Sequence, residues 1–475
     1  MCAQQLCFAL SYNIKYSLML KSAPAYLFIL ALPMSAFAEE SNTTPSVIPS
    51  AYLDFAAYGD DANGMGGEYL QNANGIFNVH HDDATGGHSH GGGLERGLNF
   101  RGIELALKAE IPGWADGALR MTTDGSDGEI EEAWLRSRIL PGGLQFKGGL
   151  FYSDIGIENK LHPHDWEFVN QSLPYQMLFA GGLSGSGLQI NWSPELPFKL
   201  TLGAEAINAE NEGVDAYVGP TTGYVTTTGK TISLPFAEQS SWPNVYTLYA
   251  KSGVAISEDH HLFGGLSYIK GRQHQEMHRY HPGINDADHS LQGSTQTYGI
   301  DAGYHYHADQ AHGAGDFRIS AEYFYQSKDL TLIYHDTKPW NVGMPRELNV
   351  DAFVIQAKYG IAPRWDIGLR YDMAGNIHEA IRSASPVNCL PPYQSKPCPR
   401  QNSQFESMQR ISAALTWHID ARQHLRLELA HASVPVAEDI NADGINDAVR
   451  RDFNQIFLQY QLMLGGKPEA HTHQH

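Results

Sequence analysis

Gln455-Ile456-Phe457-Leu458-Gln459-Tyr460-Gln461-Leu462-Met463-Leu464 alternates with a period of two. Ile456, Leu458, Tyr460, Leu462 and Leu464 fall on one face, and Gln455, Gln459 and Gln461 on the other. An extended strand with different surroundings on its two sides has this pattern. It recurs upstream. Leu425, Leu427 and Leu429 alternate with His424, Arg426 and Glu428; Trp365, Ile367, Leu369 and Tyr371 with Asp366, Gly368, Arg370 and Asp372. Phe317, Ile319, Ala321 and Tyr323 alternate with Arg318, Ser320 and Glu322, and Ile103, Leu105 and Leu107 with Glu104 and Lys108.

A soluble sandwich alternates too, so the spacing of the strands decides. About sixteen strands of roughly ten residues can be placed, beginning near 51, 100, 115, 129, 144, 187, 198, 245, 260, 294, 315, 350, 364, 408, 423 and 452. Their connections alternate between brief turns, such as Pro112-Gly113 and Ala362-Pro363, and mostly long loops, such as 59–99, 153–186 and 374–407. Only 124–128 is brief in a long-loop position. A sandwich has no reason to sort its loops by parity, whereas a barrel inserted from one side of a membrane does. Trp114, Trp192, Trp365 and Trp417 all sit beside short turns, where an interfacial aromatic girdle belongs. The fold expected is all-β: a transmembrane antiparallel barrel with short periplasmic turns, long extracellular loops and a polar, aqueous lumen.

Charge and composition agree. The 475 residues hold 52 acidic against 32 basic side chains, a formal charge of -20, which argues against a phosphate-binding face and hence against nucleic acid as partner. Lys21, the apolar Ala25–Leu32 and Ser35-Ala36-Phe37-Ala38 read as a secretory signal over 1–38, with Met19 as an alternative start. A periplasmic segment is expected at 39–50, the barrel at 51–464 and a histidine-rich periplasmic tail at 465–475. Cys389 and Cys398 are the two cysteines beyond the signal; in an oxidising compartment they are expected to form a disulfide, a metal-binding pair being the weaker reading.

Several clusters carry metal-ligand chemistry. His80, His81, Asp82, Asp83, His88 and His90 lie in the glycine-rich first outer loop, where imidazoles and carboxylates can gather around zinc or another divalent metal. His471, His473 and His475 alternate in the tail, and His274, His278, His281 and His289 share the fifth outer loop. His162, His164, Asp165 and Glu167 lie in the third outer loop, which is expected to fold inward as a cation-selective constriction. Asp439, Asn441, Asp443 and Asp447 follow the start of a calcium loop, although Arg450 stands where a bidentate glutamate closes that motif. No P-loop, HExxH or dinucleotide fingerprint is legible, and no enzyme is expected.

Gly128-Glu129-Ile130-Glu131-Glu132-Ala133-Trp134, Gly149-Leu150-Phe151-Tyr152-Ser153-Asp154-Ile155-Gly156, His162-Pro163-His164-Asp165-Trp166-Glu167-Phe168-Val169 and Leu173-Pro174-Tyr175 resemble a family of outer-membrane proteins often labelled zinc-regulated TonB-dependent receptors. The resemblance covers Gly97 to Glu212 and implies uptake of a metal or metal complex. The chain departs from the receptor half of that label. The roughly 60 residues between the signal and the second strand hold one strand and one loop, too few for a plug, and no TonB box is found. The function expected is a porin-like channel for divalent metal, with lipid and metal ions as partners and a homotrimer as the usual porin assembly. A TonB-coupled transporter and a barrel-anchored metal-binding surface protein are the alternatives.

Neutral imidazole binds zinc and imidazolium does not. Replacing His80, His81, His88 and His90 by alanine is expected to weaken zinc binding about tenfold or more while the barrel stays folded. Acidification from about pH 7.5 to about 5.5, across the ordinary histidine pKa, should have the same effect. Zinc titration of the refolded quadruple variant checks both; parent-like affinity would place the binding elsewhere.

Overall fold

Hydrocarbon offers no partners to backbone N–H and C=O groups, so a sheet that crosses it must close on itself. In the computed structural model, which describes residues 45–67, 69–70, 94–125, 128–278, 287–383, 400–438 and 447–466, it does. The strands are β1 (Ser46–Asp60), β2 (Gly97–Ile111), β3 (Ala115–Thr123), β4 (Gly128–Ser137), β5 (Leu144–Tyr152), β6 (Ser184–Trp192), β7 (Lys199–Asn208), a separate hairpin β8 (Thr221–Val225) and β9 (Thr231–Leu234), β10 (Val245–Ala255), β11 (His260–His278), β12 (His289–Tyr306), β13 (Phe317–His335), β14 (Pro345–Ala362), β15 (Trp365–Ser383), β16 (Arg400–Gln404), β17 (Met408–Asp420), β18 (Gln423–Glu438) and β19 (Asp447–Gly465). One 17-stranded sheet holds all but the hairpin. β16 pairs only with the outer end of β15, which pairs also with β17, so 17 − 1 = 16 strands form the closed wall. Closure runs antiparallel from Ser50↔Gly465 to Asp60↔Gln455.

The alternation sorts the two faces as the sequence anticipates. Ile300, outward, is 53% exposed, and its neighbour Asp301, inward, is 4% exposed. Trp114, Trp192, Trp365 and Trp417 are exposed near the short turns, with the Trp365 and Trp417 rings stacked at 5.7 Å.

Several strand boundaries differ from expectation. Ser46–Ser50, read as part of a periplasmic segment, already belongs to β1 and pairs with β2 from Ser46↔Glu110. The outer ends of β12, β14 and β19 begin at His289, Pro345 and Asp447, before the apolar alternation starts. Once a strand leaves the bilayer both of its faces meet polar surroundings, and the period fades while the backbone ladder continues. β11, β13 and β15 reach 19 residues each, about twice the ~9–11 that a tilted strand needs to cross. The side from β11 to β15 therefore stands tall above the membrane. The β8–β9 hairpin region leans on it, Thr227 N donating to Asp288 Oδ2 at 2.7 Å and Ala237 N to Gln292 Oε1 at 3.0 Å.

Charge at mid-membrane on the outer face is expected to cost about 2–4 kcal/mol. Ile300→Arg should lower folding stability into lipid vesicles by that amount, whereas Gln356→Glu, facing the lumen, should change it by less than about 1 kcal/mol. Equal losses in denaturant titrations of the two variants would contradict the assignment of faces.

Candidate functional site in the barrel lumen

The third outer connection, residues 153–183, turns into the barrel. Its base is closed by Asn159, whose Nδ2 donates to Ser153 O at 2.7 Å and whose Oδ1 accepts Leu183 N at 2.8 Å. Pro174, whose fixed φ suits a first helical turn, opens the short helix Leu173–Leu178. Leu173, Tyr175, Met177, Leu178 and Phe179 pack there with Phe151 of β5, Ile207 of β7 and Phe324 of β13 in one buried cluster. At Gly156, φ is +52°, and a Cβ would run into the Tyr175 hydroxyl and the Glu322 carboxylate, so glycine is required. Glu322 on β13 accepts Ile157 N at 2.7 Å and the Tyr175 hydroxyl at 2.6 Å.

The tip of the loop is held by guanidinium groups. Arg370 Nη1 donates to Asn170 O at 2.6 Å and Arg410 Nη2 to Gln171 O at 2.7 Å. Asp372 pairs with both arginines, at 3.0 Å to Arg370 and 2.9 Å to Arg410. Val169 N donates to Glu428 Oε2 at 2.6 Å, and the Arg370 guanidinium lies 4.4 Å from the Phe168 ring centre. β15, β17 and β18 thus grip residues 168–171 from one wall.

An acidic wall grips the segment around His162. Its Nδ1 lies 3.1 Å from Glu131 Oε2 and its Nε2 3.1 Å from Glu132 Oε2. Both glutamates reach the ring because of a bulge in β4: Arg120 pairs with Glu132 and Met121 with Ile130, leaving Glu131 extra. Glu104 Oε2 lies 3.6 Å from His162 Nδ1 and 3.0 Å from His164 Nδ1. Arg120 joins this wall together, 2.6 Å from Glu104 and 2.9 Å from Glu132. Burial, the largest influence on His162, and Arg120 favour the neutral ring. The hydrogen bonds to Glu131 and Glu132 and the charge of Glu104 outweigh them and push its pKa up to about 10. Ligand atoms of Glu104, Glu131 and His162 lie within 4.8 Å of one another, a nitrogen and oxygen set suited to zinc.

The structure therefore brings together some of the residues singled out by sequence and separates others. His162 and His164 share the acidic wall, their rings 5.8 Å apart, with His164 stacked on Tyr52 at 3.6 Å. Asp165 lies beside His164, 3.3 Å from its Nε2. Glu167 does not join them: it pairs with Arg318 of β13 at 2.9 Å, because the chain has by then crossed toward the opposite wall. His274, His278 and His289, expected in an outer loop, lie on β11 and β12. His80, His81, Asp82, Asp83, His88, His90, His471, His473, His475, Cys389, Cys398, Asp439, Asn441 and Asp443, and the side chain of Asp447, lie outside the described residues. Sequence reasoning missed Glu104, Arg120, Glu131, Glu132, Arg370, Arg410 and Glu428. Their signal was charge at lumen-facing positions of alternating strands.

An apolar outer face, a closed sheet and a charged lumen crossed by its own third loop define an outer-membrane β-barrel of porin-like construction. No protein-family model matches the chain. An uncharacterized protein of Aquifex aeolicus (strain VF5) is 31% identical over 294 residues, 61% of this chain, and the chain spans 57% of that protein's length. Among solved structures, the Vibrio cholerae outer-membrane protein OmpT in its trimer form is similar at 9% identity and a TM-score of 0.46, covering 89% of this chain and 100% of that one. The outer-membrane channel DcaP of Acinetobacter baumannii is similar at 12% identity and 0.46, covering 89% and 99%. OprB of Pseudomonas putida gives 14% and 0.46, covering 88% and 94%.

Arg410→Ala would remove one of the two guanidinium partners of buried Asp372 and the donor to Gln171 O, a destabilising loss. The loop tip is expected to leave the β15–β18 wall, raising single-channel conductance and exposing residues 168–172 to protease. Parent-like conductance and protease resistance would contradict the clamp.

Proposed function

We propose that this barrel is a passive outer-membrane channel that admits divalent metal, zinc foremost. The observation that carries the reading is the Glu104–Glu131–His162 cluster, placed where the third loop crosses the lumen. Carboxylate oxygens attract a divalent cation, and an imidazole nitrogen favours zinc over calcium or magnesium. An arriving ion competes with the proton on His162, so binding releases that proton and stays exchangeable, as conduction requires. The acidic excess of the chain adds a general preference for cations. The resemblance of Gly97–Glu212 to zinc-regulated outer-membrane proteins supports the same cargo. The His80–His90 loop would concentrate metal outside, and the His471–His475 tail would receive it in the periplasm.

Planar-bilayer recording of refolded protein tests the proposal. The channel should prefer potassium to chloride, and added zinc should reduce the monovalent current by lingering at the constriction. His162→Ala combined with Glu131→Gln should weaken that zinc effect about tenfold or more. An anion preference, or a parent channel indifferent to zinc, would overturn the reading. Uptake that stops when the proton-motive force is collapsed would instead point to TonB coupling.

A further inference from the structure

The tall side of the barrel carries a second cluster, formed by strand register. His278 of β11 stands opposite His289 of β12, and His289 opposite His335 of β13. Three imidazoles therefore form one row across three neighbouring strands. Their rings are nearly parallel, His278 and His289 at 4.9 Å and 14°, His289 and His335 at 5.7 Å and 24°.

The row faces the lumen. Lys328 shares its face of β13 with Glu322, which holds the third loop inside the barrel. Lys328 Nζ lies 3.0 Å from Glu276 Oε1, and Glu276 Oε2 lies 3.0 Å from His278 Nε2. Glu276 is buried and also meets His274 Nε2 at 2.7 Å, so its carboxylate is fixed in place.

The hydrogen bonds assign the ring nitrogens. A carbonyl oxygen only accepts, so His289 Nδ1 donates to Ala287 O, at 3.0 Å, leaving the lone pair on Nε2. His278 donates Nε2–H to the Glu276 carboxylate, leaving the lone pair on Nδ1. Metal-binding histidines are oriented in this way, one N–H held by a carboxylate or backbone carbonyl while the other nitrogen meets the ion. Side chains directly opposite on antiparallel strands have Cβ atoms about 4.5–5.5 Å apart, within reach of one ion at about 2.0–2.1 Å from each nitrogen. His335 Nδ1 accepts the Lys338 N–H at 3.3 Å, so this ring stacks against the pair and flanks it.

We propose that His278 and His289 form a two-imidazole chelate for a divalent transition metal at the extracellular mouth of the barrel, with Glu276 as the positioning residue. The site stands on strand register and hydrogen-bond direction, independently of the third-loop cluster and of whether the channel conducts metal.

The test uses full-length refolded protein in which the histidines of the first loop and the tail are replaced by alanine. Copper(II) is the probe, and nitrogen hyperfine structure in its electron paramagnetic resonance spectrum is the readout. The constriction cluster can take copper as well, so one nitrogen-ligated copper site should persist after His162→Ala, and the following variants are compared with His162→Ala present. His278→Gln and His289→Gln should each weaken it about tenfold or more, Glu276→Gln by a comparable factor, and His335→Gln by less. His162→Ala should leave the site unchanged, so failure of the constriction reading remains distinguishable from failure of this one. Parent-like copper affinity in the His278→Gln/His289→Gln double variant, or loss of the signal in His162→Ala, would overturn the proposal. Heat-modifiable gel mobility shows whether each variant is folded. Should the double variant not fold, protection of His289 from diethylpyrocarbonate by zinc in the parent decides, and absence of protection counts against the site.

Discussion

Every backbone group in the hydrocarbon layer must find its partner within the sheet, and here that constraint is met by the seam between the first strand and the last. β1 and β19 pair from Ser50↔Gly465 to Asp60↔Gln455, which converts an open sheet with two edges into a wall with none. Once the seam is closed, strand alternation has only one meaning. One parity meets lipid and the other lines a lumen. The apolar outer band, the tryptophans near the short turns and the charged interior all follow from that single closure.

A lumen lined with charge is costly unless the charges are paired, and the third loop supplies part of the pairing. Its backbone carbonyls at Asn170 and Gln171 accept from Arg370 and Arg410, and its Val169 N–H donates to Glu428. His162 and His164 meet glutamates on the acidic wall. The loop is thus stretched between a wall rich in arginine and a wall rich in glutamate, with an apolar cluster around Tyr175 and Phe324 between them. Phe151 and Phe324 interrupt the polar parity of their strands where the loop packs. The interior is consequently divided between His162 with its glutamates and the arginine network.

Much of the fold was legible because alternation and loop sorting are local signals. β3, β5, β10, β11, β17 and β18 begin at the residues expected from the pattern, and the short turns fall where Pro, Gly and Asp cluster. The heights of the strands were not legible. Above the bilayer the two faces no longer differ in surroundings, so His274, His278 and His289 read as loop residues although they are paired in a ladder. The site was half legible. The His162-Pro163-His164 block announced itself by composition, but its partners come from β2, β3 and β4, brought together only by closure and by a bulge that turns both Glu131 and Glu132 toward one ring. Glu167 shows the converse. Its place in the sequence suggests membership of the histidine cluster, and the path of the loop hands it to Arg318.

The arrangement of the interior depends most on the third loop lying across the lumen with its tip on the far wall. Val169 packs there with Ala430 and Phe457 in one buried cluster. The direct measurement is disulfide formation between Val169→Cys and Ala430→Cys in intact outer membranes, in a chain whose Cys389 and Cys398 are replaced by serine. The crosslink should form readily under mild oxidation and should fix the conductance at the parent value. Absence of the crosslink in folded protein, with the Val169→Cys thiol open to membrane-impermeant reagents from outside, would contradict it.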